Sequence, residues 1–196
     1  MIDATKIDTT IYIGDFAIHQ PVTVFTDYLI TALCLYFYWK LNRPAYKDES
    51  TINWKRFYLL LSFASFIGGC SHGFFAVHEG LGYKSFWLTM QALNVFSVYR
   101  AQQATLFSAL QNSKRKYYWN LSYHTQLLFF FVAVFIFQNF SVVIIDSIIG
   151  LIPIMVVHFI DAKKVKSSSW IAYGIVILCF AAIVNAVKFS FHIYFN

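Results

Sequence analysis

The run "VVIIDSIIGLIPIMVVHFI", Val142 to Ile160, decides the fold: it is apolar throughout except for Asp146, Ser147 and His158, and only Pro153 interrupts it. A helix crosses the hydrocarbon core of a bilayer with about 20 consecutive apolar residues, and this run supplies them. Five further windows read the same way: Val22 to Tyr38, Phe57 to Val77, Ser85 to Leu106, Leu121 to Phe137 and Trp170 to Phe191. Composition agrees. With 59% apolar, 20% aromatic and only 12% charged residues, a soluble domain of 196 residues would lack the polar surface to cover itself. The expected fold class is all-α: a polytopic transmembrane helix bundle of six spans, one domain over residues 1–196. No internal repeat divides it. Residues 1–20 carry Asp3, Lys6, Asp8 and Asp15 and lack the apolar core of a cleavable signal peptide, so the first span is expected to serve as its own signal.

Loops rich in Lys and Arg stay cytoplasmic. Lys40, Arg43, Lys47, Lys55 and Arg56 follow the first span, Lys114, Arg115 and Lys116 the third, and Lys163, Lys164 and Lys166 the fifth, all on one side. The N-terminus is therefore expected outside. These basic loops, lying against an anionic inner leaflet, account for the net charge of +6 with no need for a nucleic acid partner.

Orientation assigns depths to the polar residues. Asp27 falls one to two turns below the outer surface. Ser71 and His72 come near the outer end of the second span, with His78 and Glu79 at its rim. Asp146 enters the fifth span from outside, and Asn185, Lys188 and His192 occupy the outer half of the sixth. Ionisable side chains in hydrocarbon cost several kcal/mol unless they face a partner or a water cavity, so a shared layer of them reads as a functional pocket. Asn185, Lys188 and His192, spaced three and four apart, line one helix face, whereas the adjacent Ser71 and His72 diverge by about 100°. Gly68, Gly69 and Gly73 flank them, either for close helix packing or to leave room for a ligand near His72.

In the inner half, Arg100, Gln102, Gln103, His124 and His158 read as structural, bonding neighbouring helices or reaching the headgroups. Cys34, Cys70 and Cys179 lie in apolar spans without a CxxC pair and read as packing residues. Tyr36, Tyr38, Trp39, Tyr117, Tyr118, Trp119 and Trp170 at span ends form interfacial belts.

"TDYLITALCLYFYWKL" in the first span, "GGCSHGFF" late in the second and "NAVKFSFHIYFN" ending the last together resemble a bacterial group of small membrane proteins. That group is similar to the superfamily of alkaline ceramidases and progestin/adiponectin receptors, seven-helix zinc-dependent lipid hydrolases. The resemblance implies an inner-membrane protein with zinc held by one histidine on helix two and an HxxxH pair on helix seven, beside a serine and an aspartate. His72 matches the helix-two ligand, with Ser71 and Asp27 as the serine and acid. The family serine precedes its histidine by four residues, where this chain has Gly68, and the sequence reaches Asn196 without the HxxxH segment. A seventh helix beyond Asn196 is expected if the resemblance holds, and His192 is the remaining candidate ligand.

Two classes of function follow. In the first, a metal-assisted hydrolase attacks an amide or ester of a membrane lipid: His72 and His192 hold zinc, Ser71 and Asp27 assist the water or the oxyanion, and Lys188, Asn185 and Asp146 bind the substrate. In the second, a non-catalytic module, accessory subunit or transporter uses the same layer to bind a ligand or a helix of another membrane subunit. A retinal Schiff base at Lys188, with Asp146 or Asp27 as counter-ion, is a third reading.

Overall fold

The computed structural model describes residues 10–42, 48–75, 81–109, 113–163 and 169–177. Five long helices dominate: α1 (Pro21–Leu41), α2 (Glu49–Cys70), α3 (Leu81–Ala109), α4 (Ser113–Phe137) and α5 (Ser141–Asp161). A π-helical turn, Ser71–Phe75, continues α2, and residues 169–177 are again helical. Ahead of the bundle, β1 (Thr10–Ile13) and β2 (Phe16–His19) pair antiparallel, Ile11 opposite Ile18 and Ile13 opposite Phe16. This hairpin departs from the all-α expectation. Its cause is local: Gly14 takes the turn at φ +62°, a conformation glycine adopts without steric penalty, in a two-residue Gly-Asp connection.

Among the described residues four helical stretches are long and apolar enough to cross a membrane: Pro21–Leu41, Glu49–Phe75, Lys114–Phe137 and Ser141–Asp161. The expected third span is helical too, as α3, but it is more polar than the rest because it stands at the centre. It packs against α2, α4 and α5 and buries Gln91, Ser97, Gln102, Gln103 and Thr105. The sides of α1, α4 and α5 turned away from it are apolar and exposed, carrying Leu29, Leu33, Phe129, Phe135, Ile145, Ile148 and Ile152. The expected sixth span is described only over residues 169–177, which return to the bundle where Ile175 meets Ala101 of α3 and Ile154 of α5, beside Trp54 and Phe57 of α2.

The helices outrun the hydrophobic windows. α2 begins at Glu49, eight residues before the apolar run, because Asp48 caps it: its carboxylate accepts from the Thr51 N–H at 2.9 Å and from the Thr51 hydroxyl. Those two donors hold the Asp48 carboxyl below its ordinary value. Hydrocarbon thickness limits the apolar run, while caps and charged turns set where the helix ends.

Candidate functional site

The stretch expected to carry chemistry lies where α2 passes into the π-helical turn, the hairpin end of the bundle. π-helical turns inside α-helices are frequent at functional sites because the widened turn re-aims side chains. Ser71 opens this turn and is fully buried, its Oγ without a hydrogen-bond partner among the described residues. His72 follows, its ring edge-on to Trp87 of α3 at 6.0 Å between centroids.

The flanking glycines explain how α1 reaches this place. A Cβ on Gly68 would lie 3.3 Å from Asp27 Oδ2 and 3.2 Å from Met90 Sδ, so the Asp27 carboxylate is seated directly against the glycine. A Cβ on Gly69 would sit 2.8 Å from the Tyr28 ring, and one on Gly73 would sit 3.0 Å from Val24 and 3.9 Å from Ile18 of β2. Close packing therefore fills all three gaps. The consequence for the site is position: Asp27 meets α2 one turn, about 6 Å of rise, before His72, on the side of the helix from which Ser71 also projects within a turn. Tyr28 Oη and Cys70 Sγ, 3.5 Å apart, fasten the two helices alongside.

Trp87 and Gln91 belong to the same neighbourhood, and sequence reasoning passed over both. With its amide turned to satisfy its neighbours, the fully buried Gln91 accepts from Trp87 Nε1 at 2.7 Å and donates to the Asn139 carbonyl at 3.1 Å. The ring facing His72 is thereby held in place from the α4–α5 turn. An available signal was a glutamine one helical turn after a tryptophan on a helix with many other polar residues.

Asp146 lies elsewhere. It is 1% exposed, and Gln126 of α4 donates to its Oδ1 at 2.7 Å while Gln102 of α3 donates to Gln126 Oε1 at 2.9 Å. Its Oδ2 has no partner among the described residues. Gly150, one turn further along α5, is level with Val98 and Gln102, whereas Gly68 and Asp27 are level with Met90; Asp146 is thus deeper than Asp27 by about 6–12 Å at 1.5 Å per residue. Asn185, Lys188 and His192 lie outside the described residues, as do His78, Glu79 and Cys179.

The inner histidines have structural partners. Tyr99 Oη and His124 Nε2 are 2.9 Å apart, His124 Nδ1 meets the Asn120 carbonyl at 2.7 Å, and His158 lies 3.2 Å from Thr105 Oγ1. Arg100 donates to Asn53 Oδ1 at 3.3 Å.

The fit to zinc can be tested on the hairpin end. Imidazole and carboxylate are donor types zinc accepts, and the unpartnered Ser71 Oγ marks a place where a further polar group would be satisfied. Among the described residues no three His, Cys, Asp or Glu side chains converge, so His72 is the one candidate ligand placed at this end and any further donors would come from elsewhere in the chain.

Taken together, a helical bundle with apolar outer faces, a buried polar centre and an α1 carboxylate seated against α2 one turn before His72 defines a helical membrane protein with a candidate intramembrane site. Residues 22–196 match the Family of unknown function (DUF6962), and the chain belongs to that family. No curated protein and no solved structure matches it.

Proposed function

We infer that the chain is an intramembrane hydrolase of a lipid amide or ester, working at the hairpin end of the bundle. The same reading takes six spans in a bacterial inner membrane, with the hairpin end outside and the basic loops inside. The observation that carries it is the seating of the Asp27 carboxylate against Gly68, one turn before His72, together with the buried Ser71 hydroxyl, which has no hydrogen-bond partner among the described residues. The likeness to the alkaline ceramidase and progestin/adiponectin receptor superfamily supports the same assignment.

His72 and His192 would hold the metal. When bound, zinc supplies Lewis acidity toward a carbonyl and an acidified water. The chain's own residues do the rest. The Asp27 carboxylate accepts the proton of the attacking water and gives it to the departing amine or alcohol as the amide or ester bond breaks. The Ser71 Oγ–H donates to the carbonyl oxygen as negative charge develops there. Lys188 and Asn185 draw the head group. Asp146, held by Gln126, is not needed.

The test uses full-length protein purified without chelator, assayed for zinc content and for hydrolysis of lipid amides and esters in vesicles. Near-stoichiometric zinc is expected, lost in His72→Ala; Asp27→Asn should keep the metal and lose about 100-fold or more in turnover. Less than about a tenth of an equivalent of zinc, with no hydrolysis, would assign the layer to a non-catalytic binding module.

A further inference from the structure

At the opposite, basic end, where the hydrolase reading places no chemistry, α3, α4 and α5 enclose a cleft of about 260 Å³. Its walls include Leu106, Trp119, Tyr123, Pro153 and Val157, with Asp161 the one charged residue among those that line it. Trp119 and Tyr123 are spaced four apart on α4, and Pro153, Val157 and Asp161 recur every four on α5, so each helix turns one face to the cleft. Residues 169–177 pack on another face of α5, through Ile154 and Met155, and do not fill it.

The charges around this apolar trough come in both signs. Lys116 precedes Trp119 by three and shares its face, its Nζ held 3.8 Å from the centroid of the Phe107 ring. Lys163 is exposed two residues past Asp161. A carboxylate beside an apolar cleft favours a cation, and lysines within a turn of the cleft's residues along the chain, Lys116 before Trp119 and Lys163 after Asp161, favour an anion. One molecule answers both demands if it joins an ammonium and a phosphate by a short linker and trails a hydrocarbon chain.

The geometry points to a phosphatidylethanolamine site: a stretch of acyl chain in the cleft, the ammonium on Asp161 and the phosphate on Lys116 and Lys163. The head group is set by donor chemistry. A primary ammonium presents N–H groups to the carboxylate; a quaternary choline has none. A glycerol head group brings no cation, and a serine head group brings a second carboxylate toward Asp161. The volume suits part of a chain and falls just short of the ~300 Å³ at which pockets for whole drug-sized ligands begin.

Native mass spectrometry of the full chain, released from nanodiscs holding equal amounts of phosphatidylethanolamine, phosphatidylcholine and phosphatidylglycerol, tests this. Wild-type protein is expected to retain the ethanolamine lipid over the other two by about fivefold, the factor one exposed ion pair supplies. Asp161→Asn should bring the ratio near one while Asp161→Glu keeps it, and Val157→Trp, which fills the cleft, should expel the lipid. Thermal melts of each variant establish that it is folded, and the Asp161 pair, being conservative, carries the test if Val157→Trp does not fold. Equal retention of all three lipids by the wild type would show an ordinary lipid annulus and overturn the assignment. So would a preference for phosphatidylglycerol, or a selectivity untouched by Asp161→Asn. The hydrolase reading stands or falls separately, since none of these residues is at the hairpin end.

Discussion

At the scale of single residues, the tightest of the described glycine contacts falls on a glycine that nothing in the sequence sets apart. Gly150 is one small residue in the most apolar span, yet a Cβ there would run into Val98 Cγ1 and come within 3.1 Å of Gln102 Nε2. Backbones that approach this closely need small residues at the contact. Gly150→Ala is therefore expected to destabilise the protein by about 1–3 kcal/mol, the usual range for overpacking a filled core. Val98→Ala opens the same space, so the double variant should recover part of the loss. Gly82 supplies the control: a Cβ there meets nothing within 4 Å, and Gly82→Ala should be neutral or slightly stabilising, by less than about 1 kcal/mol. Unfolding midpoints in mixed micelles measure all four. A Gly150→Ala protein as stable as wild type would mean that α3 and α5 are not pressed together here.

At the scale of elements, the N-terminal hairpin is the feature sequence reasoning missed, although its signal was present. "TIYIGDFAIH" sets two short runs of strand-forming residues about a Gly-Asp turn, but the N-terminal residues were judged only against a signal peptide. The helices were legible because hydrocarbon demands long apolar runs; their ends were not, since Asp48 and the charged turn Lys114–Lys116 extend helices that hydropathy alone stops short. The hairpin has a position that bears on the site: β2 packs on the π-helical turn, with Ile18 beside Gly73, and Ser71 of the same turn is fully buried. The hairpin is expected to shield this turn from water. In a background without other cysteines, a Ser71→Cys thiol should react slowly with a water-soluble maleimide. Adding Gly14→Val forces a β-branched residue to φ +62° at a strain of about 1–3 kcal/mol, and the labelling rate should rise by roughly 5- to 150-fold as the hairpin loosens. An unchanged rate would show that the hairpin does not control access.

At the scale of the whole molecule, the bundle is apolar outside and polar at its centre, with α3 as the post to which the other helices bring their polar groups. The sequence showed which residues break the apolar spans, and the reading of Gln102, His124 and His158 as interhelical partners agrees with their hydrogen bonds. It could not show which face each one turns. Asp146 therefore read as level with Asp27, although the parallel run of α3 and α5 carries it deeper, onto Gln126. The chain from Gln102 through Gln126 to Asp146 crosses three helices and points its amide donors toward the carboxylate, one of whose oxygens is left unpartnered among the described residues. Such a network is more costly to break than to remove. Gln126→Leu takes the donor from a buried carboxylate and should destabilise by about 2–4 kcal/mol. Asp146→Leu removes the group that needs the donor, so Gln126→Leu/Asp146→Leu should be less damaging than the sum of the two single changes, by about 0.6–1.7 kcal/mol, the range measured for hydrogen bonds between membrane helices. A double-mutant cycle on unfolding free energies reads this coupling directly. Strict additivity would show that α3, α4 and α5 are held by packing alone, and that the polar centre contributes nothing to their association.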